Sequence, residues 1–277
     1  TKVTDTLLLS QLLYPDIEGG HSLAAWGERF KSPKNDYKDF THYTPEMLEY
    51  CKQDVEITHK LVKYIGSHLY GCSQQAIELE HKIRAIVDQQ EVNGFTLDQK
   101  KASILVAQFL DETINIESKL QEVFPPITHQ RISDRTGKKL QDKVEVFNAA
   151  SRKQIADRLQ TLGWKPTKYT PKGNIIVDEN VLSGIDLPEA ALISRYLLLQ
   201  KRIVQINSWR SLTDSNDRVH GKVLTLRAVT GRMAHHSPNM AQVPASYSPY
   251  GKECRECWTI ADPDRYVLVG TDASQLE

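Results

Sequence analysis

The chain has 277 residues with 35 basic and 35 acidic side chains, so its formal charge is zero. Hydrophobic residues make up 40% and charged residues 25%, a composition typical of folded globular proteins and not of disordered or collagen-like ones. No apolar run approaches the ~20 residues of a membrane helix, no secretory signal is visible, and four cysteines are too few for a disulfide scaffold. These exclusions predict a cytoplasmic protein.

The charges are distributed unevenly along the chain. Residues 1–60 carry 7 basic and 10 acidic side chains, whereas residues 119–173 carry 12 and 5 and residues 195–258 carry 10 and 4. Two basic tracts behind an acidic start favour a polyanionic partner for the middle and end of the chain.

The first part of the chain begins with residues 3–9, which read as a strand or a strand-to-helix transition, followed by a short helix over residues 22–26. Thr44 and Pro45 are typical of a helix N-cap and first helical position, and that helix is expected to reach about Ile65. Its apolar stripe includes a carboxylate, in the order Met47, Tyr50, Asp54, Ile57 and Leu61. Because a carboxylate on a buried face needs a partner, Asp54 is either a metal ligand or tied to a nearby lysine or backbone donor.

Further helices are predicted over residues 77–90, 97–123, 151–162 and from Pro188 to about Ile206. Residues 127–145 are polar and basic and predict an exposed loop, and a turn at residues 170–173 joins two short extended segments. Short strands are expected at residues 219–226 and 266–269. The pattern predicts three structural units, covering residues 1–68, 69–212 and 213–277.

Asp272 directly follows the last predicted strand, at the strand end where open sheets present their ligands. A carboxylate in this position can bind a hard cation such as Mg²⁺, or Asp272 or Ser274 can cap a following helix. The Cys254-Arg255-Glu256-Cys257 sequence has no second cysteine pair at matching spacing, so a zinc site is not indicated.

Gly and Pro residues around Thr230-Gly231-Arg232 and residues 238–244 indicate a fixed irregular backbone that presents Arg232 and Gln242. The donors of these two side chains fit the minor groove of a duplex, where every base pair offers acceptors. The alternative is a polar surface loop in which Arg232 forms a salt bridge.

In chain order, these segments resemble the family-A DNA polymerases, the family of bacterial DNA polymerase I, and most closely the branch carried by short-tailed phages. The matching segments are Asp5-Thr6-Leu7, His21-Ser22-Leu23, Tyr50-Cys51-Lys52-Gln53-Asp54, Asn93-Gly94-Phe95, Thr167-Lys168-Tyr169-Thr170 with Lys172-Gly173, Thr230-Gly231-Arg232 with residues 238–244, and Asp272-Ala273-Ser274-Gln275-Leu276-Glu277. The resemblance implies an α+β fold: the C-terminal part of a DnaQ-like 3′–5′ exonuclease domain, a helical thumb and the beginning of a polymerase palm.

The resemblance also implies roles for individual residues at two catalytic sites. In the exonuclease, Asp54 would bind metal and Tyr50 would orient the attacking water. In the polymerase, Asp272 and the Ala273 carbonyl would hold Mg²⁺ for nucleotidyl transfer, and Glu277 would reject a ribose 2′-hydroxyl. The DNA contacts that are implied or expected from charge are Arg232, Gln242, Asn239, Lys168, Lys172, Lys201 and Arg202.

The implied partners are primer-template DNA and deoxynucleoside triphosphates, in phage DNA replication within the host cytoplasm. Binding of a thioredoxin-type processivity factor is doubtful. Phage relatives can carry a long thioredoxin-binding insertion in the thumb, and the matching region here consists only of residues 124–147. The chain is expected to be a piece of a longer protein that is inactive alone, with both two-metal sites incomplete. Two alternatives remain, a DnaQ-like nuclease with an accessory DNA-binding region and a noncatalytic DNA-binding remnant.

Overall fold

The computed structural model describes residues 3–69, 72–132, 135 and 137–271. Its helices are α1 (Thr6–Leu13), α2 (Leu23–Arg29), α3 (Pro45–Ser67), α4 (Gln74–Asn93), α5 (Gln99–Val123), α6 (Arg152–Thr161), α7 (Glu179–Ser183), α8 (Pro188–Ser211) and α9 (Gly251–Arg255). Its strands are β1 (Phe95–Leu97), β2 (Ile127–Ile132), β3 (Lys139–Glu145), β4 (Arg218–Val219), β5 (Lys222–Leu224), β6 (Ala234–His236) and β7 (Trp258–Thr259). None of the helices in these ranges is both long and apolar enough to cross a membrane.

The chain divides into two compact units. Unit 1 comprises Thr1–Phe95 and Arg218–Val243, and unit 2 comprises Thr96–Asp217 and Pro244–Glu277.

Several predicted helices begin at the residues that cap them. The Thr44 hydroxyl accepts a hydrogen bond from the Met47 amide at 3.1 Å, and Pro45 occupies the first turn of α3. Ser22 and Ser151 cap α2 and α6 in the same way. These side chains satisfy amide groups that have no partner within the helix, which explains why the starting points could be predicted.

Residues 3–9, predicted as a strand or a strand-to-helix transition, contain no strand, and helix α1 begins at Thr6. Asp5 caps α1 through its Oδ1 atom, which accepts from the Leu7 amide at 2.8 Å and the Leu8 amide at 3.3 Å. A short apolar run fits a strand and a buried helix equally well, and here the Asp5 cap favours the helix.

Two further predictions about strands were wrong. Residues 127–145 contain an antiparallel hairpin instead of a loop, with β2 paired to β3 through Thr128 with Val144 and His129 with Lys143. Residues 266–269, predicted as a strand, have no strand partner within the described ranges, and their side chains are 57% to 84% exposed. An apolar sequence becomes a strand only where a neighbouring strand pairs with it.

The core of unit 1 lies between α1, α2 and α3. Its buried side chains are Leu9, Trp26, Ile57, Leu61 and Ile65. The Trp26 indole donates a hydrogen bond to the buried Ser10 hydroxyl at 3.0 Å, so the polar atom of this large side chain is satisfied. Helix α3 is therefore fixed through the apolar residues of its C-terminal half, which leaves its N-terminal half to carry polar groups.

Unit 2 is built on the two long helices α5 and α8, which pack against each other. Buried Leu105, Phe109, Ile116 and Leu120 of α5 belong to its core, as do Ile193, Leu199 and Ile206 of α8. Glu112 of α5 accepts hydrogen bonds from Arg195 of α8 and from the Tyr250 hydroxyl, the latter at 2.9 Å. Strand β1 also pairs with β7 in this unit, through Thr96 with Thr259 and Leu97 with Trp258.

Candidate functional site

Tyr50 and Asp54 lie one turn apart on α3, as the apolar stripe predicted. Ile57 and Leu61 continue that stripe and are buried, whereas Tyr50 and Asp54 are half-buried. The two predicted exonuclease residues therefore occupy the part of the stripe where α3 leaves the core of unit 1.

Lys34 contacts both of these residues, and the sequence analysis did not identify it. Its ammonium lies 2.9 Å from Asp54 Oδ2 and 4.6 Å from the centre of the Tyr50 ring. Hydrogen bonding to Tyr50 raises the pKa of Lys34, and the Asp54 carboxylate raises it further, although partial burial opposes both effects. The alternative in which a lysine holds Asp54 is therefore present in the structure.

The two oxygens of the Asp54 carboxylate are in different environments. Oδ2 is paired with Lys34, whereas Oδ1 is buried and has no hydrogen-bond partner in the described part of the chain. An unsatisfied buried carboxylate oxygen is costly, and its hard oxygen is the type of ligand that Mg²⁺ prefers. No group of three or more His, Cys, Asp or Glu side chains among the described residues could enclose a metal ion. Asp54 therefore fits as one oxygen ligand of a metal site whose remaining ligands would come from outside the described residues.

Lys34 belongs to residues 33–44, an irregular segment that we call the strap. Gln53 of α3 binds the strap at two points: its Oε1 accepts from the Asn35 amide at 2.9 Å and its Nε2 donates to the Pro33 carbonyl. The rings of Tyr37, Phe40 and Tyr50 pack together with centroids 5.2 to 5.8 Å apart. The strap therefore covers the N-terminal half of α3, where Tyr50 and Asp54 lie.

The Thr230-Gly231-Arg232 segment lies between β5 and β6. These strands pair antiparallel through Lys222 with His236 and Leu224 with Ala234. The Ala228 amide donates to the Arg232 carbonyl at 3.2 Å, and Gly231 adopts a positive φ of 77°, which a residue with a side chain rarely tolerates. The result is a defined turn with an exposed Arg232, as the glycine predicted.

Asn239 and Gln242 lie just beyond this hairpin. A short 3₁₀ helix at Met240–Gln242 follows Asn239. The backbone amide of Gln242 donates to the backbone carbonyl of Asn239 at 3.2 Å. The Gln242 side chain is exposed, whereas Asn239 Oδ1 is buried without a partner in the described ranges. The irregular backbone that was expected for residues 238–244 is confirmed.

Gly221 allows residues 238–240 to approach β5. A Cβ atom at this position would lie 2.5 Å from Met240 Cγ and 3.3 Å from the Pro238 carbonyl oxygen. We expect Gly221→Ala to destabilise the protein by about 1–3 kcal/mol, measured by chemical denaturation, because the crowded atoms must move.

Two further variants test this explanation of Gly221. Gly66→Ala is the matched control, since nothing lies within 4 Å of a Cβ atom at this helical position, and it should not destabilise the protein. Adding Met240→Ala should recover part of the stability lost in Gly221→Ala. A double variant no more stable than Gly221→Ala alone would show that Met240 is not the obstacle.

The basic residues of unit 2 that were predicted to contact DNA differ in their exposure to solvent. Lys168 precedes the turn at residues 170–173 and Lys172 lies within it, and both are exposed, as is Lys201 on α8. The Arg202 side chain is only 7% exposed, and one of its guanidinium nitrogens donates to Gln205 Oε1 at 3.3 Å. This burial is at odds with a direct contact between Arg202 and a DNA backbone.

The cysteine pair forms part of the packed interior of unit 2. Cys254 and Cys257 are both fully buried, and burial raises the pKa of each thiol to about 11. Such thiols stay protonated near neutral pH and are poor metal ligands or nucleophiles. Asp272, Ala273 and Glu277, the residues predicted for the polymerase site, lie outside the described residues.

Comparisons with known proteins place the sequence among DNA polymerases. Residues 95–277 match the sequence profile of DNA polymerase family A. The chain is 28% identical to the DNA-directed DNA polymerase of Escherichia phage T7, in an alignment that covers 99% of this chain and 56% of the relative. It is 26% identical to DNA polymerase I of Helicobacter pylori strain 26695, covering 100% of this chain and 29% of the relative. The chain thus spans about half the length of the phage relative.

A solved structure has the same fold. The polymerase domain of Pol1 from M. smegmatis, in a complex with DNA primer-template and dNTP, aligns with a TM-score of 0.72 at 16% identity, covering 92% of this chain and 40% of that chain. The mixed α and β architecture expected from the resemblance is therefore confirmed as that of a polymerase domain. Because the family profile spans residues 95–277, about two thirds of the sequence, the chain belongs to DNA polymerase family A.

Proposed function

We propose that this chain is part of a DNA-directed DNA polymerase that extends a primer on a template by nucleotidyl transfer. The observation that carries the proposal is the family-A match over residues 95–277, a range that contains both the Thr230-Gly231-Arg232 turn and Asp272. Its substrates are deoxynucleoside triphosphates and primer-template DNA, and its location is the cytoplasm. The test is template-directed incorporation by the complete protein that carries this chain, and a protein that binds primer-template without extending it would support a noncatalytic remnant.

The polymerase site is proposed at Asp272, the Ala273 carbonyl and Glu277. The two metal-binding groups are hard oxygen donors, the type of ligand that Mg²⁺ prefers. When bound, such a metal pair activates the attacking oxygen and stabilises the leaving one. Asp272 would hold the metal ions in place, and Glu277 would exclude a ribose 2′-hydroxyl from the site that binds the sugar. The oxygen chemistry of these groups and their order after an apolar segment support this assignment.

Arg232 and Gln242 are proposed to read the minor groove of the duplex beside the primer terminus. Both side chains are exposed and both follow short hydrogen-bonded turns, so their positions are fixed by the backbone. Their donors can test base-pair geometry without reading sequence, because every pair offers minor-groove acceptors. Asn239 is assigned to the same contact, in which its side-chain NH2 group would donate to a minor-groove acceptor.

Lys168, Lys172 and Lys201 are proposed to contact phosphates of the duplex. We expect Lys168→Ala and Lys172→Ala to lower the slope of log affinity against log salt concentration by about 0.9 each, because each removes one phosphate contact. Primer-template binding measured by fluorescence anisotropy between low and moderate salt checks this. Lys63→Ala, which removes an exposed lysine from α3 in unit 1, is the matched control. An unchanged slope in both turn variants would remove this turn from the DNA interface.

A second function, 3′–5′ exonuclease activity, is proposed for the part of the complete protein that contains residues 1–68. The observation that favours it is the Asp54 Oδ1 atom, which is buried without a partner in the described ranges, while the neighbouring Tyr50 lies on the same helix face. Asp54 would supply one metal ligand and Tyr50 would orient the attacking water. A DnaQ-like nuclease with accessory DNA-binding parts would share this site but would not extend a primer.

A further inference from the structure

Lys34 is bound to both residues proposed for the exonuclease site. Its ammonium pairs with Asp54 Oδ2 at 2.9 Å and lies 4.6 Å from the centre of the Tyr50 ring. The Lys34 and Asp54 side chains are 24% and 25% exposed, so the pair is partly shielded from water. A cation in this position neutralises the carboxylate when no metal ion is bound.

The strap that carries Lys34 is held to α3 independently of this ion pair. Gln53 of α3 binds the Pro33 carbonyl and the Asn35 amide on either side of Lys34, and the Tyr37 ring packs against the Tyr50 ring of α3 with centroids 5.8 Å apart. The Lys34 side chain can therefore leave Asp54 while its backbone stays in place. A cation tethered in this way remains at high effective concentration next to the carboxylate.

A divalent cation on Asp54 would be close to this ammonium. The two oxygens of one carboxylate are separated by only ~2.2 Å, a consequence of standard bond lengths, and cations on both would repel each other strongly at this range. Oδ1, which has no hydrogen-bond partner in the described part of the chain, would offer a metal ion its first contact, and repulsion would then favour release of Lys34 from Oδ2. The ion pair and the metal complex are thus competing states of the same carboxylate.

We propose that Lys34 is the resident counter-ion of Asp54: it holds and neutralises the carboxylate in the metal-free state, and a divalent cation displaces it. This inference rests on the proposed metal-binding role of Asp54. It makes Lys34 a positioning residue that acts through Asp54, and it makes the strap a device that keeps the site neutral until metal binds. Removing the lysine charge should accordingly strengthen metal binding, which is opposite to the effect of damage to the fold.

The test is Mn²⁺ binding by the complete protein, followed by electron paramagnetic resonance of the free ion. We expect Lys34→Met to tighten Mn²⁺ binding about three- to tenfold, a modest gain because partly exposed ion pairs are weak. Lys34→Arg, which keeps the charge and the reach, should bind Mn²⁺ like the wild-type protein. Lys38→Met is the matched control, because it removes the same charge from the same strap at a lysine that pairs with Asp36 and is 83% exposed.

A second readout follows the strap itself. Saturating Mn²⁺ should leave the Asn35 amide protected from hydrogen exchange in the wild-type protein, because Gln53 and not Lys34 holds it. Lys34→Met should also leave this protection unchanged, which separates loss of the counter-ion from loss of the strap. Unprotected Asn35 in Lys34→Met would overturn the proposal that the strap stays in place without the ion pair.

The outcomes separate this inference from the proposed function. Asp54→Asn should abolish the Mn²⁺ binding that responds to Lys34→Met. If Asp54→Asn binds Mn²⁺ as the wild-type protein does, the metal-binding role of Asp54 fails and the inference fails with it. If Asp54→Asn loses binding while Lys34→Met matches Lys38→Met, only the counter-ion role of Lys34 is overturned.

Discussion

Asp272→Asn is expected to abolish nucleotide incorporation by the complete protein while leaving its binding to primer-template DNA intact. The amide has the shape of the carboxylate but lacks its charge, so it cannot hold the metal ions of nucleotidyl transfer. We expect the incorporation rate to fall by about 10³-fold or more, which corresponds to about 4 kcal/mol of transition-state stabilisation. Single-turnover incorporation with a labelled primer measures the rate, and fluorescence anisotropy measures the binding.

The matched control for this prediction is Asp264→Asn, which makes the same change at an exposed aspartate in the same segment of the chain. It should incorporate nucleotides at the wild-type rate. Incorporation by Asp272→Asn within a few fold of the wild-type rate would refute the metal role of Asp272. Loss of duplex binding in Asp272→Asn alone would instead assign this carboxylate to the fold.

The same assay separates the proposed polymerase from its alternatives. A DnaQ-like nuclease with accessory DNA-binding parts would degrade DNA equally well with Asp272 or Asn at this position and would not extend a primer. A noncatalytic remnant would bind primer-template and do neither. Only a polymerase couples Asp272 to incorporation while leaving binding unchanged.

The helices could be predicted because their signals are local. Thr44 and Pro45 identify the start of α3 without any knowledge of the rest of the fold, and Ser151 does so for α6. The same reasoning failed for the β2–β3 hairpin, because most of its side chains are exposed and no alternation between apolar and polar residues marks its two faces. It failed again at residues 266–269, where composition indicates a strand but pairing depends on distant parts of the chain.

The candidate site could be predicted only in part for a related reason. Asp54 was identified because it interrupts an apolar stripe, which is a local pattern on one helix. Lys34 was missed because it lies on the irregular strap, 20 positions before its partner, and no periodicity links the two residues. The buried position of Arg202 was missed because a charged residue next to Lys201 on a basic helix suggests a solvent-exposed face.

The motifs and the contacts around Asp54 give different kinds of information about this protein. The order of the motifs along the chain identified the family, and no single motif was specific enough to do so. The contacts around Asp54, by contrast, depend on the fold: Gln53 fixes the strap, and the strap places Lys34 against the carboxylate. Lys34 therefore contacts Asp54 although it belongs to none of the motifs.

Asp54→Asn is expected to remove 3′–5′ degradation of single-stranded DNA by the complete protein and to leave primer extension at the wild-type rate. The variant keeps the size of the side chain but loses the charge that would hold a metal ion beside the attacking water. We expect the degradation rate to fall by about 10²-fold or more, equivalent to about 2.7 kcal/mol. Release of nucleotides from a 3′-labelled oligonucleotide measures the rate.

Loss of the ion pair with Lys34 is the competing explanation for any effect of Asp54→Asn, and it can be separated from loss of a metal ligand. A partly exposed pair contributes about 1 kcal/mol or less to stability, so the variant should still be folded at the assay temperature. Lys34→Met breaks the same pair but keeps the carboxylate, and it should retain degradation activity. Asp36→Asn, at an exposed aspartate on the strap, controls for the change in charge. Equal loss of degradation in Lys34→Met and Asp54→Asn would assign Asp54 to the strap contact, and an unchanged rate in Asp54→Asn would remove it from catalysis altogether.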